Sequence, residues 1–183
     1  MRSAIMPQFD DEGLEGLILR NENILVQAKA DSREEIIRQL GSLLFEHGLV
    51  KDTFVQAVLD REKTFPTGLQ TNVLGFAIPH TDTEHVNLPA LAIATLSQPI
   101  VFQAMGDPDT SVSVQVVMML AIRDPKAVVH VLRKVISILE DSEALTGLLG
   151  ASSREEIRRI VHTHIQKMSD DPSKQSSTEI SHV

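Results

Sequence analysis

The residues best suited to chemistry lie in the segment Leu74-Gly-Phe-Ala-Ile-Pro-His80, where an apolar run ends abruptly in Pro-His. The apolar run predicts a buried strand, so we expect the His80 imidazole at a strand tip, where α/β sheets bind their ligands. Pro79 restricts the backbone beside the ring and helps to aim it. Because imidazole is largely unprotonated near neutral pH, it is a competent nucleophile there. The pattern indicates either a nucleophilic histidine or a loop histidine that holds a backbone carbonyl.

Three further side chains are candidates to assist His80. Arg61 carries a planar, permanently charged guanidinium that can grip phosphoryl oxygens, or it is a surface helix residue paired with a neighbouring carboxylate. Thr67 can donate its hydroxyl to a phosphate or to the ring, or it serves only the chemistry of a turn rich in Pro and Gly. His85, five residues after His80, can hydrogen-bond a phosphate or lie solvated in a loop. The residues alone leave each pair of alternatives open.

The composition argues against several other kinds of function. The chain has 183 residues with no Cys, Trp or Tyr and a net charge of −8. Thiolate chemistry is therefore absent, and the acidic balance disfavours nucleic-acid binding. No Gly-rich nucleotide loop and no metal-ligand spacing is present, so we expect neither direct use of ATP nor any cofactor or metal. Without a signal segment or an apolar run long enough to cross a bilayer, the sequence predicts a cytoplasmic protein.

Apolar periodicity and capping signals predict the elements that must position these residues. Strands are expected at 23–28, 73–78, 91–96, 100–103 and 112–122, and helices at 31–48, 52–63, 124–139, 142–149 and 153–165. This order predicts an α/β fold, with a single mixed β-sheet flanked by helices on both faces. We expect an N-terminal arm at residues 1–20, the domain at residues 21–167, and a disordered tail at residues 168–183, where Ser, Asp and Lys are frequent.

Several short motifs together resemble the IIA domains of the fructose–mannitol superfamily of bacterial sugar phosphotransferase systems (PTS). The matching pieces, in the order and spacing of that family, are Arg61-Glu62, Thr67-Gly68 and Gly75-Phe-Ala-Ile-Pro-His80. The resemblance covers roughly residues 22–165. Within the superfamily, the chain is most similar to the galactitol-type subgroup through Lys51-Asp-Thr53, Phe65-Pro-Thr-Gly68 and His85.

The resemblance implies a phosphocarrier with a phosphohistidine at His80. It implies phospho-HPr as the donor, a cysteine of a IIB protein or domain as the acceptor, and contact with the membrane component IIC only indirectly. Arg61 and Thr67 are then expected to stabilise the phosphoryl group. The sugar and the phosphorylated ring nitrogen are left open. The surrounding recognition face is expected to use Phe76, Val86 or Leu88.

One departure from the family pattern bears on the second histidine. Many members carry a histidine at the start of the helix after the last strand, where this chain has Val128. His130 lies two residues further on, and two residues along a helix turn a side chain well away from the original direction. The departure favours His85 as the substitute.

Three other interpretations are compatible with the same residues. A IIA-like regulator that signals phosphorylation state would use the same histidine. A non-catalytic interaction module would use the Pro-His turn only as structure. A hydrolase with His80 as general base lacks a convincing nucleophile, such as a Gly-flanked serine or a cysteine.

Overall fold

Five strands form one mixed sheet in the computed structural model, which describes residues 16–169. They are β1 (Ile24–Ala28), β2 (Gly68–Gln70), β3 (Gly75–Ala77), β4 (Ala90–Ala104) and β5 (Asp107–Ala121). β4 lies parallel to β1 and antiparallel to β5, and β5 lies parallel to β3. β3 pairs antiparallel with β2, which also contacts the end of β4 through the pair Gly68 and Ala104.

Helices cover both faces of the sheet, which confirms the predicted α/β architecture. One face carries two helices, α1 (Arg33–Glu46) and α2 (Phe54–Thr64), and the other carries three, α3 (Val128–Leu139), α4 (Ser142–Gly150) and α5 (Arg154–Ser169). The central strands serve both layers because successive side chains of a strand point to opposite faces. In β4, Leu91 and Ile93 pack with α3–α5, whereas Ala92 and Ala94 pack with α1 and α2.

The helix starts follow ordinary capping chemistry. The Ser32 hydroxyl accepts a hydrogen bond from the Glu35 N–H at 3.1 Å and so caps α1. Asp141 accepts from two backbone N–H groups at the start of α4. These side chains satisfy donors that a helix leaves unpaired in its first turn. Short 3₁₀ turns lie at Asn21–Asn23, Thr83–His85 and Pro125–Ala127.

The structure differs from the sequence prediction at the beginning of the domain and in two strands. Leu17 and Leu19 are buried and Ile18 bridges to Ala90, so the domain begins before residue 21 and residues 17–20 do not belong to an arm. The two strands predicted at 91–96 and 100–103 are one strand, β4, whose pairing with β5 is irregular between Thr95 and Ile100. Strand β2 escapes prediction because three residues are too few to show a period. The predicted tail lies almost entirely outside the described residues.

Two glycines allow β2 and β3 to approach the hairpin of β4 and β5. A Cβ atom on Gly68 would lie 2.6 Å from the carbonyl oxygen of Gln103, and one on Gly75 would lie 2.0 Å from the carbonyl oxygen of Ser113. Backbone oxygens at these distances leave no room for a side chain. The close packing that positions the end of β3 therefore depends on glycine.

Candidate functional site

His80 lies just beyond β3, at the end where the parallel strands β3 and β5 both finish. The Leu120 N–H donates to the Pro79 carbonyl at 3.1 Å, and His80 itself forms an isolated parallel bridge with Leu120. These contacts continue the pairing of β3 with β5 beyond the strand itself. The backbone of His80 is therefore fixed at the carboxyl ends of two strands, as the apolar run before Pro79 predicts.

A backbone carbonyl orients the His80 ring. Nδ1 lies 2.8 Å from the carbonyl oxygen of Ile78. Because a carbonyl oxygen only accepts hydrogen bonds, Nδ1 must carry the proton in this contact. In the neutral ring, Nε2 then holds the free electron pair. The structure thus presents one ring nitrogen as a hydrogen-bond donor and leaves the other with a free electron pair.

Burial and a nearby cation keep this ring neutral. Loss of hydration lowers the pKa of His80 below the ordinary 6.5, and the positive charge of Arg61 lowers the pKa further. The hydrogen bond to Ile78 and the negative charge of Asp82 act in the opposite direction but do not prevail. At neutral pH the imidazole is therefore uncharged, the state in which it can act as a nucleophile.

Arg61 occupies the last turn of α2, where the structure brings its charge to His80. Its guanidinium carbon lies over the Phe65 ring, 5.3 Å from the centroid, at a distance typical of a cation–π contact. The ring of Phe65 is 61% exposed. The Arg61 Nε atom is buried and has no hydrogen-bond partner among the residues that the structure describes. A buried donor without a partner is costly, and an anion bound beside His80 would satisfy it.

Thr67 lies near the site but does not present its hydroxyl to it. Only 2% of the residue is exposed. Its hydroxyl donates to Glu62 Oε2 at 2.8 Å, and its backbone N–H donates to Glu62 Oε1 at 2.9 Å. The buried carboxyl group of Glu62, and not the His80 ring, engages the Thr67 hydroxyl. A contact of Thr67 with a phosphate stays a prediction.

His85 is held by a different set of neighbours. Its Nδ1 lies 2.8 Å from the Thr53 hydroxyl oxygen, and its Nε2 lies 3.4 Å from Glu84 Oε1. The His85 carbonyl accepts from the Lys51 N–H at 2.9 Å. Within residues 16–169, no hydrogen bond or charge interaction joins His85 to His80 or to Arg61. An assisting role for His85 stays a prediction.

Sequence reasoning missed the parts played by Glu62, Phe65 and Asp82. Glu62 stands in the Arg61-Glu62 motif, and that position is the one signal that could have found it, although sequence cannot show that the carboxyl group is buried. Phe76 and Val86, expected on a recognition face, are fully buried because their side chains fill the two cores. Of that expected face, only Leu88 is exposed.

The residues that the structure describes form neither a metal site nor a membrane span. Between residues 16 and 169, no group of three His, Asp or Glu side chains is placed to hold a metal ion. Over the same residues, no helix is long and apolar enough to span a membrane.

Comparison with known proteins identifies the family. The family model "Phosphoenolpyruvate-dependent sugar phosphotransferase system, EIIA 2" matches residues 17–164. The chain belongs to the EIIA 2 family. The family match begins at Leu17, which is buried in the structure.

Relatives of this EIIA 2 domain have different named specificities. The galactitol-specific EIIA component of Escherichia coli K12 is 29% identical over 117 residues, which cover 64% of this chain and 77% of that protein. The mannitol-specific IIA component of Staphylococcus aureus strain N315 is 28% identical over 144 residues, covering 78% of this chain and 94% of that protein. The mannitol IIA of Escherichia coli, solved in complex with phosphorylated IIB, superimposes with a TM-score of 0.68 at 26% identity, covering 80% of this chain and 99% of that one.

Proposed function

We propose that this EIIA 2 domain is a phosphocarrier that takes a phosphoryl group from phospho-HPr onto Nε2 of His80 and passes it to a cysteine of a IIB partner. The observation that carries the proposal is the ring geometry of His80. Nδ1 is committed to the Ile78 carbonyl, which leaves Nε2 as the nucleophile beside the Arg61 cation. Family membership supplies the reaction class, and the site supplies the residues.

The incoming step needs only positioning and charge stabilisation from this protein. The Nε2 electron pair attacks the phosphorus of the donor's phosphohistidine, a new N–P bond forms, and the donor imidazole departs with the electrons of the old bond. In the outgoing step, a thiolate of IIB attacks the same phosphorus, and His80 recovers its electron pair. In this proposal Arg61 neutralises the phosphoryl oxygens in both steps, and its Nε, which has no partner among residues 16–169, is one donor.

The relatives support a IIB partner and bear on the choice of sugar. One solved relative is a IIA in complex with phosphorylated IIB, which supports IIB as the acceptor here. Galactitol and mannitol both occur among the relatives' specificities, and we favour galactitol or a related sugar or polyol because of the motifs shared with that subgroup. A carrier of this kind would act in the cytoplasm, where it would reach IIC only through IIB.

The test is intact-mass analysis after incubation with enzyme I, HPr and phosphoenolpyruvate. We expect an acid-labile gain of one phosphoryl group in the wild type and none in His80→Gln. His47→Gln is the matched control, because His47 also holds a backbone carbonyl through Nδ1, at 2.7 Å from Leu43, but far along the chain at the end of α1. An unmodified wild type, beside a control IIA that is modified, would favour the interaction-module interpretation.

A second incubation separates transport from regulation. After phosphorylation, the domain is mixed with IIB proteins specific for galactitol and for mannitol. Transfer to a IIB cysteine supports the transport role. Stable phosphorylation with no transfer to either IIB would favour a regulator that reports phosphorylation state.

A further inference from the structure

The Glu62 carboxyl group is buried beneath the site and has no part in the two transfer steps. Arg61 and Glu62 are neighbours on α2, and a helix turns successive side chains by about 100°. The positive charge of Arg61 lowers the pKa of His80, whereas Glu62 points inward, with only 3% of the residue exposed. The charged groups that affect the pKa of Glu62 are Arg33, which lowers it, and Glu34, which raises it, both on α1. Among residues 16–169, no hydrogen bond or charge effect joins Glu62 directly to His80.

Glu62 anchors the residue that begins the β2–β3 hairpin. It binds both donors of Thr67, the backbone N–H and the hydroxyl. Thr67 directly precedes β2, so these two bonds join the end of α2 to the start of the hairpin. Both bonds persist in either protonation state of Glu62, because a hydroxyl group can donate to an ionised carboxylate or accept from a protonated one.

From Thr67 the hydrogen bonds continue to the ring of His80. The Ile78 N–H donates to the Thr67 carbonyl at 3.4 Å, one step beyond the ladder pair of Gly68 and Ala77. The Ile78 carbonyl then accepts from His80 Nδ1 at 2.8 Å. A single connected path thus runs from the Glu62 carboxyl through Thr67 and Ile78 to the imidazole.

We propose that Glu62 is a positioning residue for His80. Its two hydrogen bonds with Thr67 hold the Ile78 peptide in place, and the Ile78 carbonyl in turn keeps Nδ1 of His80 protonated and Nε2 free. The importance of this for transfer rests on the function proposed above. The ring orientation itself is a property of the unphosphorylated protein and can be measured without any partner.

The experiment compares Glu62→Met with Glu62→Gln in the full chain. Methionine has a similar length but cannot bind the Thr67 donors, whereas glutamine can accept from the Thr67 N–H and donate to its hydroxyl. The imidazole ¹⁵N chemical shifts of His80 report which nitrogen carries the proton. The rate of phosphorylation is measured as a function of phospho-HPr concentration. The limiting rate (kcat) and the half-saturating concentration (KM) then report separately on transfer and on docking.

We expect Glu62→Met to move the His80 shifts toward the Nε2–H tautomer and to lower kcat about tenfold or more, as small displacements of a reacting group do. KM for phospho-HPr should stay within about twofold, since the buried Glu62 side chain contributes almost nothing to the surface that a partner protein contacts. Glu62→Gln should keep the wild-type shifts and most of kcat. A folded Glu62→Met protein with wild-type ¹⁵N shifts would overturn the proposal.

If Glu62→Met does not fold, a milder pair of variants decides. Thr67→Val removes the hydroxyl contact alone and should shift the His80 tautomer partway, whereas Thr67→Ser should restore it. Equal shifts in Thr67→Val, Thr67→Ser and the wild type would refute the positioning role. A wild type that accepts no phosphate would defeat the proposed function but leave the ¹⁵N comparison fully decisive.

Discussion

The half-buried imidazole of His80 lies within reach of the positive charge of the half-buried Arg61, an arrangement that favours an anion between them. Burial and the Arg61 charge both lower the pKa of His80, so the free protein holds a neutral nucleophile next to a permanent cation. Removal of the cation should therefore have two effects of opposite sign on His80: easier protonation and poorer transfer.

Arg61→Gln tests both effects. We expect the pKa of His80 to rise toward its ordinary value, because the nearest positive charge is gone, while burial still holds it somewhat low. Phosphoryl transfer should fall by about two orders of magnitude, the usual loss for one charge-stabilising donor. NMR titration of His80 measures the first effect, and the rate of acceptance from phospho-HPr measures the second. A lowered His80 pKa in Arg61→Gln would contradict the charge arrangement described here.

Phe65 gives a second test at the level of single residues. Its ring supports the Arg61 guanidinium from one side and is largely exposed on the other. Phe65→Leu removes the cation–π contact, worth about 0.5–1 kcal/mol at an exposed site, so transfer should fall severalfold. Phe45→Leu is the control, since Phe45 is also about half exposed, on α1. Equal rates in the two variants would show that the ring does not hold Arg61 in place.

The β2–β3 hairpin connects the buried contact between Glu62 and Thr67 to the segment that contains His80. It consists of two three-residue strands, which could not be stable alone. Its place is fixed by Glu62 at one end and by the close approach of Gly68 and Gly75 to the β4–β5 hairpin. Because β3 ends only three residues before His80, we expect a displacement of this hairpin to move His80 as well.

Gly75→Ala should destabilise the protein by about 3 kcal/mol or more, in the range of strongly overpacked core substitutions. The new Cβ atom would lie 2.0 Å from the Ser113 carbonyl oxygen, so β3 must move away from β5. Gly150→Ala is the control: its Cβ atom would contact nothing within 4 Å, and alanine favours a helix. Urea unfolding of both variants measures the difference. Similar midpoints for the two would mean that β3 is not packed as described.

The same hairpin shows where sequence prediction stops. The Pro-His signal located His80 and its strand tip, because an apolar run and its termination are local properties of the chain. Strand β2 was not predicted, since three residues show no period. The Glu62–Thr67 contact was not predicted either, because the burial of a carboxyl group depends on how α2 packs against α1. Arg61 could be proposed from its motif, but its stacking on Phe65 required the structure.

At the level of the whole molecule, the sheet separates two hydrophobic cores, and only one of the two helix layers contributes residues to the site. The layer of α1 and α2 supplies Arg61, Glu62 and Phe65 to the site, whereas α3–α5 pack on the opposite face. This division of layers was predictable in outline from the order of helices and strands. The start of the domain was not predictable, because no turn or helix-capping residue in the sequence marks the buried residues Leu17 and Leu19.

Burial of Glu62 makes the stability of the whole domain depend on pH. The folded state raises the pKa of Glu62 from 4.5 to about 7, mainly because burial disfavours the charged form. The folded state therefore binds more protons than the unfolded state between these values, and the free energy of unfolding falls as pH rises through them. The loss from this group is at most about 3 kcal/mol.

Glu62→Gln should remove this dependence while keeping both contacts with Thr67. Urea unfolding at pH 5 and pH 8 gives the free energies for the two proteins. We expect the wild type to lose more stability between these pH values than the variant does. Parallel losses in the two proteins would show that Glu62 ionises as freely in the folded state as in the unfolded one.

The bond between His80 Nδ1 and the Ile78 carbonyl also governs how a phosphoryl group would depart. With Nδ1 protonated, a ring phosphorylated on Nε2 is cationic, and its leaving group is neutral imidazole, which needs no proton from a general acid. A peptide carbonyl does not titrate in water, so the acceptor that holds the Nδ1 proton is present at every physiological pH. The two half-reactions should then have different pH profiles: loading follows the titration of free His80, whereas unloading follows the thiol of the acceptor together with the Nδ1 proton of the phosphorylated ring.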